Sequence, residues 1–134
     1  MKIMIAAVVV LTSACVTADV RYVPIEYRMI DQPQSNSIRL VYENTGPESI
    51  CLDAGNWPST GGILNNNGRE FYLTIDGIIY FLQREQDYCP VCVIKVRPLQ
   101  AIEANLSYAS FGLPEALYNR PKALHLEFTG YVCR

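Results

Sequence analysis

The 134-residue chain has one histidine, one tryptophan and no block of like charges. A Ser–His–acid triad would have to recruit His125, which lies between Leu124 and Leu126 on the outward face of a strand, and no serine sits in a G-x-S-x-G elbow. Serine-nucleophile chemistry is left without its parts. The nearest thing to a carboxylate pair, Glu85 and Asp87, falls in the charged run QREQD and reads as a solvated hairpin end. A structural zinc site needs four Cys or His ligands, and export turns thiols into disulfides, so neither metal nor cofactor is expected. From Asp19 onward ten Lys and Arg oppose thirteen Asp and Glu. Such dispersed, mildly acidic charge offers no basic stripe to a phosphate backbone and argues against nucleic acid as a partner. No amphipathic helix of useful length, internal repeat or low-complexity tract is visible, so the core has to come from strands.

Long hydrophobic runs are also missing. The longest, Ile3 to Leu11, is about half of what a helix needs to span a bilayer. With Lys2 before it and small residues after it, this stretch has the layout of an export signal. Val16-Thr17-Ala18 before Asp19 fits an A-x-A-like cleavage site. Leu11-Thr12-Ser13-Ala14-Cys15 resembles the bacterial lipobox instead, with Thr12 where Leu is preferred and Cys15 as the lipidated first residue. The lipid anchor is the reading carried forward, which puts the protein in the periplasm at the outer membrane and in membrane contact only through that anchor; a soluble chain from Asp19 is the alternative. Either way Cys51, Cys89, Cys92 and Cys133 remain, an even set with three connectivities. Cys89–Cys92 closing its own turn, with Pro90 at the first central position, and Cys51–Cys133 tying the last strand to the body is the expected pairing.

The 116 residues from Asp19 suffice for one domain that buries about two-thirds of its unfolded surface. The segment Arg69 to Arg97 organises it. Asp76-Gly77 is the dipeptide that a tight type I′ turn selects, and Phe71, Leu73 and Ile75 alternate with Tyr72, Thr74 and Asp76 before it. Ile94 and Val96 alternate with Lys95 and Arg97 in a third strand. Val20 to Ile30 reads as an early strand that, because Pro24 cannot donate to a ladder, is an edge or starts late, and Asp31 to Asn36 as a polar connection. Ile38, Leu40 and Tyr42 form the inward face of the next strand, which Asn44-Thr45-Gly46-Pro47 turns back as a second hairpin through Ser49 to Asp53. Pro98 to Tyr108 gives a further strand. Between Pro114 and Asn119 there is room for one helical turn at most, and Ala123 to Cys133 forms the last strand, kinked at Gly130. The expected fold is an all-β, antiparallel, immunoglobulin-like sandwich of about seven or eight strands, disulfide-stabilised.

Two stretches carry the candidate function. Ala54 to Gly68 shifts to Gly, Asn, Ser and Pro, a loop too long for a simple connection, and it holds Trp57. An aromatic among adaptable amides makes a binding surface, so Asn56, Trp57, Asn65, Asn66 and Asn67, with Glu85, Asp87 and Tyr88 as neighbours, are the candidate contact residues. Trp57 folded inward as a cap on the core is the competing placement. The other stretch is Cys89-Pro90-Val91-Cys92. A thioredoxin-like C-x-x-C is activated at a helix N-terminus, whereas Val93 to Val96 is strand-like, so this pair reads as a structural disulfide.

The succession of an Asn-Thr-Gly turn (Val41 to Pro47), a Gly/Asn/Pro loop (Ala54 to Gly68), an aromatic hairpin at Asp76-Gly77 and a Pro98-initiated strand resembles small immunoglobulin-like bacterial domains. These are exported as hydrolase inhibitors or as immunity proteins of interbacterial toxin pairs. Leu99-Gln100 stands where such a pattern carries a Pro-Gly type of turn. The resemblance implies a non-enzymatic protein that occludes a basic secreted toxin or hydrolase with its loops. An accessory lipoprotein of an envelope assembly, docking through an exposed strand edge, and a thiol–disulfide protein acting through Cys89 and Cys92 are the alternatives.

Overall fold

The computed structural model describes residues 19–53, 57–58, 71–83 and 93–134. Turn and break residues divide them into ten strands: β1 (Tyr22–Ile25), β2 (Tyr27–Gln32), β3 (Ser37–Glu43), β4 (Ile50–Asp53), β5 (Tyr72–Ile75), β6 (Ile78–Phe81), β7 (Val93–Val96), β8 (Ala101–Ser107), β9 (Ala123–His125) and β10 (Phe128–Val132). All pairings are antiparallel, in three sheets ordered β1-β10-β4-β7, β2-β3-β8 and β6-β5-β9. No α-helix occurs among the described residues, only short 3-10 turns.

The central hairpin forms for the reason its turn dipeptide gives. Asp76 (φ 51°) and Gly77 (φ 81°) both take the left-handed region that a type I′ turn requires. The period-2 pattern then buries Leu73 and Ile75 to 0 and 1 % exposure. At the other end of the chain, Pro24 sits in β1 on the edge of the four-stranded sheet, opposite Thr129, where its missing N–H costs no ladder bond.

Four expectations about connectivity need correction. The early strand is two strands, β1 and β2, which pass from one sheet to another at Glu26, and β2 continues through Asp31 to Gln32 before the chain turns at Pro33–Asn36. The Asn44 turn does not close a hairpin. Both edges of β3 are taken by β2 and β8, so β4 has no place beside it and joins β10 and β7 in the other sheet. Asn44, 3 % exposed, fastens that corner: its amide donates to the carbonyls of Glu48 (2.8 Å) and Val96 (3.0 Å) and its oxygen accepts from Gly46 N (3.1 Å). Every polar atom of this buried side chain is engaged, as burial demands. The strand ending at Tyr108 stops one residue earlier, because the Ser107 hydroxyl caps a 3-10 turn over Tyr108–Phe111 by accepting from Ala109 N. The last strand breaks at Leu126-Glu127 into β9 and β10, in different sheets. Gly130 serves close packing there: a Cβ would stand 2.8 Å from Ile50 Cγ2 and 3.0 Å from the Cys51 carbonyl oxygen.

One cluster of buried side chains draws on all three sheets, with Ile38, Leu40, Leu52, Leu73, Val96 and Leu106 at 0 % exposure. Trp57 lies in it at 2 % exposure, its ring 5.2 Å from Phe128 and 6.4 Å from Tyr42. Of its two expected placements it takes the inward one. Cys51 and Cys133 form a disulfide between neighbouring strands of the four-stranded sheet, consistent with an oxidising compartment.

Candidate functional site

In β6 the sequence Ile78-Ile79-Tyr80-Phe81 has no polar position, so whichever face turns outward is apolar. Register decides which. Thr74 opposes Ile79 and Tyr72 opposes Phe81, while Tyr72 and Thr74 oppose His125 and Ala123 on the far side. Directly paired residues share a sheet face, so two cross-strand rows form: Phe81, Tyr72 and His125, then Ile79, Thr74 and Ala123. The opposite face carries Leu73 and Ile75 into the core. Ile79 and Phe81 remain 50 and 47 % exposed.

The first row is organised by its rings. Tyr72 stacks on His125 with centroids 4.5 Å apart and planes 20° from parallel, and meets Phe81 edge-on at 5.9 Å. Aromatic pairs at these separations hold one another in place beyond simple burial, by about 0.5–1.5 kcal/mol per pair. An open depression of about 560 Å³ adjoins the row, lined by Tyr72, Leu124, His125, Leu126 and Glu127. Its histidine is already stacked and its carboxylate lies two residues further on.

Among the described residues the outer edge of β6 is paired with no strand, and beyond it Gln83 N donates to the Ser110 carbonyl at 2.7 Å. A two-residue turn makes Ile75 and Ile78 a hydrogen-bonded pair, and the Leu82 N–H donating to the Phe71 carbonyl at 2.9 Å keeps that phase. The backbone groups of Ile79 and Phe81 therefore point away from β5, and no described strand pairs with them.

The residues expected to make contacts fare differently. Trp57 is core and presents no surface, because an indole packed between Tyr42 and Phe128 has no free face. Asn56, Asn65, Asn66, Asn67, Glu85, Asp87 and Tyr88 lie outside the described residues, as do Cys15 and the Cys89–Cys92 pair. His125 is exposed on the outward face of its strand, and what pattern reading missed is its stacking partner, Tyr72. The unbroken apolar run in β6 was the available signal. Among the described residues no three His, Cys, Asp or Glu side chains stand close enough to share a metal ion. No protein-family model and no curated protein matches the chain.

A second polar cluster is internal. Asp31 accepts from the Tyr108 hydroxyl and, at 2.8 Å, from Lys122 Nζ, which also donates to the carbonyls of Tyr118 (2.6 Å) and Arg120 (3.1 Å) and lies 4.5 Å from the Tyr108 ring centroid. Burial, with the Asp31 carboxylate beside it, pushes the Tyr108 hydroxyl pKa well above the usual tyrosine value. The group pins the segment before β9 to β2 and is structural.

Proposed function

We propose that the protein is a non-enzymatic, exported binding protein of the cell envelope that occludes a secreted toxin or hydrolase, using the outer face of β6, β5 and β9. The observation that carries this reading is the exposure of Ile79 and Phe81 beside the Tyr72–His125 stack. Large apolar side chains on one outward sheet face, rimmed by polar groups, are what an interface core requires. A net charge of −2 suits a basic partner through steering of the encounter. The finer fold reading, an immunoglobulin-like sandwich, is supported by the antiparallel sheets and the buried Trp57, with one difference: the Cys51–Cys133 bond joins neighbours within a sheet, where antibody domains bridge two sheets. An accessory lipoprotein of an envelope assembly is favoured by one specific observation, the outward backbone groups of Ile79 and Phe81, which an added strand would complete.

A photocrosslinker at position 81 in the producing cell, followed by mass spectrometry of the adduct and titration of the captured enzyme with purified protein, tests the proposal. Stoichiometric inhibition that Phe81→Asp abolishes is expected. A captured partner whose activity is untouched by saturating protein overturns the inhibitor reading in favour of the accessory one.

A further inference from the structure

Leu99 combines two unfavourable features. It is 81 % exposed, and it holds φ at +63°. Gln100 N donates to the Arg97 carbonyl at 3.0 Å, so Arg97-Pro98-Leu99-Gln100 is a β-turn. With Pro98 first and φ positive second among its central residues it is of type II character, whose second central position favours glycine. The turn is held by its surroundings: Leu99 N donates to the Asn44 carbonyl at 2.7 Å, and Arg97 N to Gln100 Oε1 at 2.9 Å. A β-turn that glycine would fit at less strain displays a leucine to solvent.

Register shows what else stands at this end of the fold. In the four-stranded sheet Tyr22, Tyr131, Cys51 and Lys95 form one cross-strand row, and Arg21, Val132, Ile50 and Val96 the next. The beginning of β1 and the turn after β7 are therefore at the same end, about 14 Å apart across three strand spacings. Val20 and Tyr22 are 50 and 68 % exposed there. Exposed leucine, valine and tyrosine thus share the end at which the chain from Cys15 enters the fold. The four residues from Cys15 to Asp19 reach at most about 14 Å. Lys95 and Arg97 flank Leu99 and take part in no ion pair among the described residues. Asp19, Glu43 and Glu48 also lie at this end, Glu48 paired with Arg21, so net charge there is near balance and apolar contact has to supply the affinity.

We infer that this end of the four-stranded sheet is a membrane-contact surface. Leu99, Val20 and Tyr22 sit at headgroup level of the phospholipid bilayer that holds the Cys15 anchor, with Lys95 and Arg97 reaching lipid phosphates. Tyrosine and basic side chains are the residues that favour such an interface; the lipid on Cys15 holds the chain at the bilayer, and these side chains fix how the domain lies on it. The inference rests on the anchored reading of Cys15.

The full chain purified from membranes, carrying Leu99→Trp, is to be reconstituted in phosphatidylethanolamine–phosphatidylglycerol vesicles with brominated acyl chains. Trp57, buried in the core, supplies a constant background, and Ser35→Trp is the control. Ser35 is exposed at the opposite end of β3, more than about 20 Å away. Loss of most of the emission from the indole at 99, with none from that at 35, is expected. Equal quenching at both positions, or none at 99, overturns the inference, and the latter is the outcome if Leu99 instead docks a protein. The anchor is checked separately by intact mass. If the mature chain proves to be unacylated and to start at Asp19, the same quenching measured on that soluble chain at high lipid decides: quenching at 99 keeps the surface, and its absence removes it.

Discussion

Replacing Lys122 by methionine should cost more than any surface charge change in this protein. The Lys122 side chain is 0 % exposed and its Asp31 partner 29 % exposed. Fully exposed pairs contribute about 0–1 kcal/mol, whereas breaking a buried pair costs about 3–5 kcal/mol because a charge is stranded. Asp31 keeps access to water, so its orphaned carboxylate rehydrates in part and the loss falls at the lower end, about 3 kcal/mol. For a domain of this size that lowers Tm by roughly 10 °C. Asp31→Asn should be at least as damaging, since it leaves an ammonium with no water around it, and Lys122→Met combined with Asp31→Asn, which keeps a side-chain oxygen for the Tyr108 hydroxyl, should recover much of either loss. Chemical denaturation of the three variants, closed as a double-mutant cycle, gives the numbers. A single-variant loss below about 1 kcal/mol, or simple additivity, would refute the argument, because it would mean that the pair behaves as an exposed one.

Other outcomes follow from the same contacts. The Tyr108 hydroxyl is raised by burial and by its bond to Asp31. The unfolded chain therefore ionises first: stability from this group is full below pH about 10, falls as pH climbs above it, and Tyr108→Phe should flatten that alkaline loss in pH-dependent melting. Trp57→Ala should destabilise by about 3–5 kcal/mol, measured by urea titration, with any binding defect following the unfolded fraction. Reduction of Cys51–Cys133, which spans 82 residues, should cost about 4.5 kcal/mol by the chain-entropy relation, read from paired denaturation curves with and without reductant. Gly130→Ala should cost about 1–3 kcal/mol through overpacking against Ile50 and the Cys51 carbonyl, visible as a lower denaturation midpoint at unchanged slope.

Local chemistry alone was enough for the elements whose causes are local. Asp76-Gly77 specifies its turn, alternation specifies the buried face of β5 and β3, and Pro24 limits its strand to an edge or a late start, because each depends on φ, on a period of two or on a missing donor within a few residues. An even cysteine set pointed to disulfides and left the partners open; in the described residues proximity joined Cys51 to Cys133. Sheet membership was decided by tertiary structure. The Asn44 turn has hairpin chemistry, yet β3 already had two neighbours, so the next strand crossed to another sheet. The apparent single strands at Val20–Ile30 and Ala123–Cys133 each divide between two sheets for the same reason: a strand pairs where an edge is vacant, and vacancy is a property of the whole fold. Trp57 shows the converse for a side chain. Its loop composition left an exposed and an inward placement equally open, and contact with Tyr42 and Phe128, from strands distant in sequence, decided for the core.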